Sequence, residues 1–177
     1  MDNHFINPEE ILDQVQLRSG MKGAEFGCGS GHWALALSRR LNKGLVYAID
    51  VQAESLSALR GQAERAMISN LKVLQRDLTD FEGSQLPGRL LDVVLIPNLL
   101  FQIEEKEQVL KEAKRILKPN GFLIIVDWLK KARLTDTQPY VTAFQVKQMT
   151  HKLGFTFLKE LSAGQSHYAL VFKKENE

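Results

Sequence analysis

The chain has 177 residues, 44% hydrophobic, 25% charged and 8% aromatic, which suits one ordinary globular core and excludes a large multidomain assembly. Its 23 Lys and Arg against 21 Asp and Glu leave a formal net charge of +2, too mild for the basic field that gathers nucleic acid, though a local basic face is compatible with it. The single cysteine, Cys28, excludes an intramolecular disulfide and a cysteine-rich zinc site, and points to a reducing compartment, with the cytoplasm as the expected location.

Met1 to Glu10 carries acids and Pro8 where a secretory signal has a basic start and an apolar stretch. The apolar run Phe122–Val126 is far short of the roughly 18 residues needed to span a bilayer. Asn7-Pro8-Glu9-Glu10 reads as a helix start, with Asn capping free N–H groups, Pro in the first turn and acids at the positive end of the helix dipole. This helix is expected to run to about Arg18 and close at Gly20. Residues 1–20 are expected to fold as a lid, since Phe5 and Ile6 beside His4 otherwise expose apolar surface.

A strand at about Ala24–Phe26 leads through a glycine loop into a helix over about His32–Leu41, and a second strand begins at Leu45 and ends at Asp50. That unit has the size of a right-handed βαβ crossover, which makes its strands parallel. The alternation continues with a helix at about Ala53–Met67, strands at about Leu71–Gln75 and Leu91–Ile96, and a helix at about Glu104–Leu117. Pro119-Asn120-Gly121 then signals a turn before a strand at about Phe122–Val126. Continuous apolar strands alternating with amphipathic helices predict an α/β fold of three layers, with a mostly parallel sheet between helices.

After a loop through Pro139, a helix from about Thr142 to Leu153 is stopped by Gly154. The β-rich runs Phe155–Leu161 and His167–Phe172 are too close for a crossover helix and must pair as an antiparallel hairpin. Lys173–Glu177 reads as a frayed charged tail, and residues 1–177 as a single domain.

Gly27, Gly29 and Gly31 alternate between a strand and a helix in Glu25-Phe26-Gly27-Cys28-Gly29-Ser30-Gly31. Glycine lets ligand atoms approach the backbone, and the following helix offers free N–H groups. The glycines alone leave the ligand open. Gly29-Ser30-Gly31-His32-Trp33-Ala34 satisfies the looser dinucleotide pattern G-x-G-x-x-A, with Asp50 where a ribose-binding acid belongs, so a nicotinamide-dependent oxidoreductase is a rival reading. Glu25, the Gln75-Arg76-Asp77-Leu78 turn and the terminal hairpin argue against it.

Taken together, these residues resemble the class I S-adenosylmethionine-dependent methyltransferases over nearly the whole chain, with the flavour of the ubiquinone/menaquinone type. Glu25 to Gly31 looks like that family's first motif, and Val46-Tyr47-Ala48-Ile49-Asp50-Val51 like its second strand with the ribose-binding acid. Arg76-Asp77-Leu78 is similar to the turn whose Asp accepts the adenine amino group. Asp92 to Leu100, with Pro97-Asn98, resembles the fourth strand and its substrate-facing end, and Leu117-Lys118-Pro119-Asn120-Gly121-Phe122-Leu123 the link into the fifth. The resemblance implies a seven-stranded sheet of order 3-2-1-4-5-7-6 whose last strand is antiparallel.

The resemblance further implies S-adenosylmethionine as cofactor and S-adenosylhomocysteine as product. Glu25 then helps orient the amino-acid end, Phe26, Gly27, Cys28, Gly29 and Gly31 contact the cofactor, Asp50 holds the ribose, Val51, Asp77 and Leu78 meet the adenine, and Pro97 and Asn98 stand at the point where the methyl emerges. Asp50 should matter for binding with little effect on stability, because it stands in a loop. No base is dictated, since a sulfonium already activates its methyl group; His4, His32 and Asp127 are the candidates if one is used. No metal is expected, because further ligands around Asp127 are not evident. Lys130, Lys131 and Arg133 form a small cluster that reads as solvated. The acceptor is expected to be a small molecule, with RNA or protein as alternatives, and a non-catalytic partner subunit of the same fold is a third reading.

Overall fold

The computed structural model describes residues 6–129 and 140–176. His4, Phe5, Lys130, Lys131 and Arg133 therefore lie outside the described residues. The elements in chain order are α1 (Pro8–Asp13), β1 (Lys22–Phe26), α2 (His32–Arg40), β2 (Leu45–Asp50), α3 (Ala53–Arg65), β3 (Leu71–Gln75) and β4 (Leu91–Pro97). A 3-10 turn (Leu100–Gln102), α4 (Lys106–Ile116), β5 (Leu117–Trp128), α5 (Ala143–Lys152), β6 (Phe155–Leu161) and β7 (His167–Lys174) complete them.

The seven strands form one sheet of order β3-β2-β1-β4-β5-β7-β6. Strands β1 to β5 pair in parallel and β7 is antiparallel to both β5 and β6, as the short link between the last two strands requires. Side chains of a strand alternate between faces, so each central strand feeds two cores. On one face Val94 and Ile96 of β4 join Leu123 and Ile125 of β5 under Val109, Leu110 and Ala113 of α4. On the other, Val93, Leu95, Ile124 and Val126 pack beneath Ile11, Leu12, Trp33 and Leu37 of α1 and α2.

Three local expectations are corrected. Helix α1 ends at Asp13, well before Arg18. Gln14 instead turns its amide toward the hairpin loop, donating from Nε2 to Ser162 O at 3.0 Å and accepting at Oε1 from Ser162 N at 2.9 Å. The Pro119-Asn120-Gly121 turn falls inside β5 as an irregularity. Pairing steps from Leu91↔Leu117 to Val93↔Phe122, leaving three extra residues on β5, with Asn120 at φ 62°. The charged end is partly structured: β7 runs to Lys174, whose buried ammonium donates to Lys114 O at 2.7 Å and Leu117 O at 2.8 Å. These carbonyls lie where α4 passes into β5, and a cation there satisfies free carbonyls and the negative helix end together.

The loop after β3 is held by a buried ionic cluster. Glu112 of α4, 2% exposed, accepts from Ser84 N at 3.1 Å, from the Ser84 hydroxyl, and bidentately from Arg115 at 2.7 and 2.8 Å. Burial opposes ionisation of Glu112, but Arg115 and Ser84 outweigh it and lower its pKa. Its contribution to stability is therefore complete above the ordinary carboxylate pKa and is lost as pH falls through the lowered value. Glu112→Ala takes the carboxylate from Arg115, which keeps Leu86 O as an acceptor, and from two Ser84 donors; urea unfolding at neutral pH should show a loss of about 3 kcal/mol, shrinking as the pH is taken below about 4.

Candidate active site

All five parallel strands end on the same side of the sheet, and an open α/β sheet presents its crevice there. The loop leaving β1 is lashed to β2. Gly27 N and Cys28 N donate to Ile49 O at 2.8 and 3.2 Å, and Gly29 N donates to the Asp50 carboxylate at 2.8 Å. Gly29 has φ 42°, and a Cβ there would meet nothing within 4 Å, so this backbone faces open space rather than a neighbour. Gly31 differs: at φ 81° it opens α2, and a Cβ would come within 2.4 Å of Leu59 Cδ1. One glycine leaves room for a ligand and the other lets α2 approach α3.

Two cavities meet at this loop. The smaller, about 360 Å³, lies over the ends of β1, β2 and β3 and is lined by Gly27, Gly29, Asp50, Val51, Asp77 and Leu78 together with Leu99, Ile103 and Val109. The larger, about 870 Å³, spreads over β1, β4, β5 and β7 and is lined by Glu25, Cys28, Pro97, Asn98, His32 and Trp33, with Trp128 and His167 at the far side. Gly27, Gly29 and Gln102 belong to both walls. Ile6 to Glu9 form a rim of the larger cavity, and α1 is pinned to α2 by Arg39–Glu9 at 3.2 Å and Arg40–Asp13 at 2.7 Å.

Ten of the twelve residues proposed for cofactor contact from sequence line these walls. Phe26 is fully buried in the core beneath the loop, and Gly31 packs on α3. Asp50 is less free than expected, since Oδ2 accepts from Gly29 N and Oδ1 from Gln52 N at 2.9 Å. It closes the loop as well as facing the cavity, which corrects the expectation that it contributes little to stability. Asp77 spends one oxygen on its own turn, accepting from Thr79 N at 2.9 Å and Thr79 Oγ1 at 2.6 Å; these bonds lower its pKa. The exposed Val51, at 53%, leaves an apolar surface available to a flat ring.

Glu25 is the decisive group. It is 1% exposed and its Oε2 has no hydrogen-bond partner. Burial drives its pKa well above the ordinary carboxylate value; the Ala34 N–H opposes that and the Asp50 charge adds to it. A buried carboxyl with an unmatched oxygen, beside a second carboxylate, asks for a cation or a strong donor. The pKa of Cys28 is raised by the same burial and by the same two carboxyls, so the thiol stays protonated and is no nucleophile.

Of the base candidates, His4 lies outside the described residues. His32 lines the larger cavity but is exposed, with Nδ1 3.0 Å from Ser30 Oγ. Asp127 is fully buried and accepts from Phe101 N at 3.2 Å and Trp128 N at 2.8 Å; it is absent from either cavity wall. Sequence reading missed His167, which reaches the larger cavity because β7 folds back along β5 and sets it opposite Trp128. The only signal for it was its place at the start of the last strand. Among the described residues no group of three or more His, Cys, Asp or Glu could hold a metal ion, and no helix is long and apolar enough to cross a membrane.

A family model described as "Methyltransferase domain" matches residues 17–173. The demethylmenaquinone methyltransferase of Staphylococcus aureus strain MRSA252 is 27% identical over 179 aligned positions, covering 99% of this chain and 64% of that protein. The chain thus spans less than two thirds of that relative. A SAM-dependent methyltransferase from Aquifex aeolicus superposes with a TM-score of 0.85 at 25% identity, over 96% of this chain and 90% of that one. A putative sarcosine dimethylglycine methyltransferase from Galdieria sulphuraria, at 13% identity and a TM-score of 0.81 over 95% and 85% of the two chains, shares the fold.

Glu25 yields a prediction of unusual sign. A carboxyl whose folded pKa is raised is fully tolerated below its unfolded pKa and costs stability as pH rises from there through the folded value. Glu25→Gln should therefore raise stability at pH 8 by about 1–3 kcal/mol and have little effect at pH 4, read by urea unfolding at both pH values.

Proposed function

From the membership of this chain in the methyltransferase domain family, we propose that it moves a methyl group from S-adenosylmethionine to a small-molecule acceptor. The observation that carries the reading is the buried, half-unmatched Glu25 carboxyl at the glycine loop. An amino-acid ammonium placed beside it supplies the missing donor and favours the ionised form. A dinucleotide would instead bring a pyrophosphate to a loop flanked by Glu25 and Asp50. Among the described residues, the one arginine on the larger cavity's wall, Arg39, is already paired with Glu9, and Arg76 stands on the wall of the smaller one. Charge thus favours a ligand that is cationic here over one that is anionic.

The donor set fits the rest of the molecule. Asp50 keeps lone pairs for vicinal ribose hydroxyls beyond those used by Gly29 and Gln52. The second oxygen of Asp77 and the N–H of Leu78 face a planar base edge, with Val51, Leu99, Ile103 and Val109 supplying apolar walls. When bound, the cofactor supplies a methyl carbon activated by the positive charge on its sulfur. The chain's residues supply alignment and a dry wall for an in-line displacement. The acceptor enters from the larger cavity, past Pro97 and Asn98. Asn98, held at φ 50° with its N–H donating to Val126 O at 2.8 Å, has a buried Oδ1 without a partner. The small-molecule name of the Staphylococcus aureus relative supports an acceptor of that class.

Calorimetry should show S-adenosylhomocysteine binding and no comparable binding of NAD; NAD binding alone would overturn the reading. Val51→Asp should weaken S-adenosylhomocysteine about tenfold by removing apolar contact, with Tm unchanged because the residue is exposed. Incubation with methyl-labelled cofactor and fractionated cell extract should deliver label to the small-molecule fraction. Label in protein or RNA would contradict the acceptor class.

A further inference from the structure

Trp128 closes β5 and His167 opens β7, and the antiparallel ladder sets them opposite each other. Their ring centroids are 4.0 Å apart at 37°, and both rings lie in the wall of the larger cavity, across from the glycine loop. His167 is 5% exposed and its Nε2 has no hydrogen-bond partner. Leaving such an atom unmatched is costly, and a ligand that supplies the missing bond recovers that cost. Burial pushes the imidazole pKa down to about 4, so the ring is neutral near pH 7 and one of its nitrogens accepts.

Among the described residues, three unmatched polar atoms line this cavity: Glu25 Oε2, Asn98 Oδ1 and His167 Nε2. Glu25 sits at the end of β1, beside the glycine loop. Asn98 follows β4, next along the sheet, and His167 lies beyond β5. The order along the sheet edge therefore runs from the donor's end to a region the donor does not need. His32 and Asp127 do not compete for the role at that end, since His32 Nδ1 lies beside Ser30 Oγ and Asp127 is turned to backbone N–H groups.

We infer that Trp128 and His167 form the acceptor subsite: a planar molecule bearing an O–H or N–H lies against the indole and donates that hydrogen to His167 Nε2. The inference rests on the methyl-donor reading, which assigns the opposite end of the cavity. Such a bond orients the acceptor and enriches its nucleophilic atom. His167 is too weak a base to take the proton outright from a phenol, so the bound acceptor stays neutral.

The test uses the full chain saturated with S-adenosylhomocysteine and two planar probes, 7-hydroxycoumarin and 7-methoxycoumarin, which differ in the ability to donate. The hydroxy probe should bind about tenfold more tightly, the worth of one hydrogen bond, and its absorbance should be that of the neutral phenol. In His167→Leu the two affinities should fall within about twofold of each other, with S-adenosylhomocysteine affinity unchanged. His167→Gln, which keeps an accepting oxygen, should restore part of the difference. Equal binding of the probes to the wild-type complex, failure of both to bind, a phenolate spectrum, or a preference that survives in His167→Leu would each overturn the subsite. Failure of S-adenosylhomocysteine itself to bind would overturn the donor reading, and this one with it.

Discussion

The hydrogen bond from Gly29 N to the Asp50 carboxylate, 2.8 Å long, joins the loop after β1 to the end of β2. Together with the two N–H groups that reach Ile49 O, it fixes a backbone that would otherwise be among the freest in the chain. Its consequence is the pair of cavities: with the loop held against β2, one space opens toward β3 and the other toward β4, β5 and β7. Asp50 is therefore a structural acceptor and a cavity-lining carboxylate at once. Loop residues usually stand on a scaffold that others hold; here one side chain holds its own loop and lines the cavity.

The electrostatics of the cleft follow from where the sheet places acids. Glu25 comes from the buried end of a central strand and Asp50 from its neighbour in the sheet, so their charges oppose each other in a poorly solvated place. Glu112 shows the contrast. It is as buried as Glu25, yet Arg115 and Ser84 satisfy it and its pKa falls. Among the described residues, Glu112 and Asp127 are buried acids matched from within, whereas Glu25 is left half-matched at a cavity wall. A matched acid secures structure, whereas a half-matched one is a place where a ligand's charge changes the energy of the fold.

Much of this was legible in the sequence because the signals are local. Alternating apolar runs and helices gave the sheet's class, the five residues between β6 and β7 forced a hairpin, and the glycine spacing with Asp50 and Asp77 in register located the cleft. What escaped was set by distant pairing. Lys174 looks like a tail until the ends of α4 and β5 supply carbonyls for it, and Pro119-Asn120-Gly121 looks like a simple turn until β4 pairs on both sides of it. His167 stands among four histidines with no distinguishing neighbours. Only the antiparallel return of β7 carries it to Trp128 and the cavity, more than a hundred residues from the glycine loop.

The account stands most directly on Glu25 and the cationic end of the methyl donor. Calorimetric titration of S-adenosylhomocysteine at pH 6, in two buffers of different ionisation enthalpy, counts the protons exchanged on binding. Because burial raises the pKa of Glu25 well above the ordinary carboxylate value and an adjacent ammonium favours its ionised form, wild-type protein should release protons to the buffer and Glu25→Gln should not. Binding with no proton release, or with equal release from both proteins, would contradict the assignment of Glu25 to the amino-acid end of the cofactor.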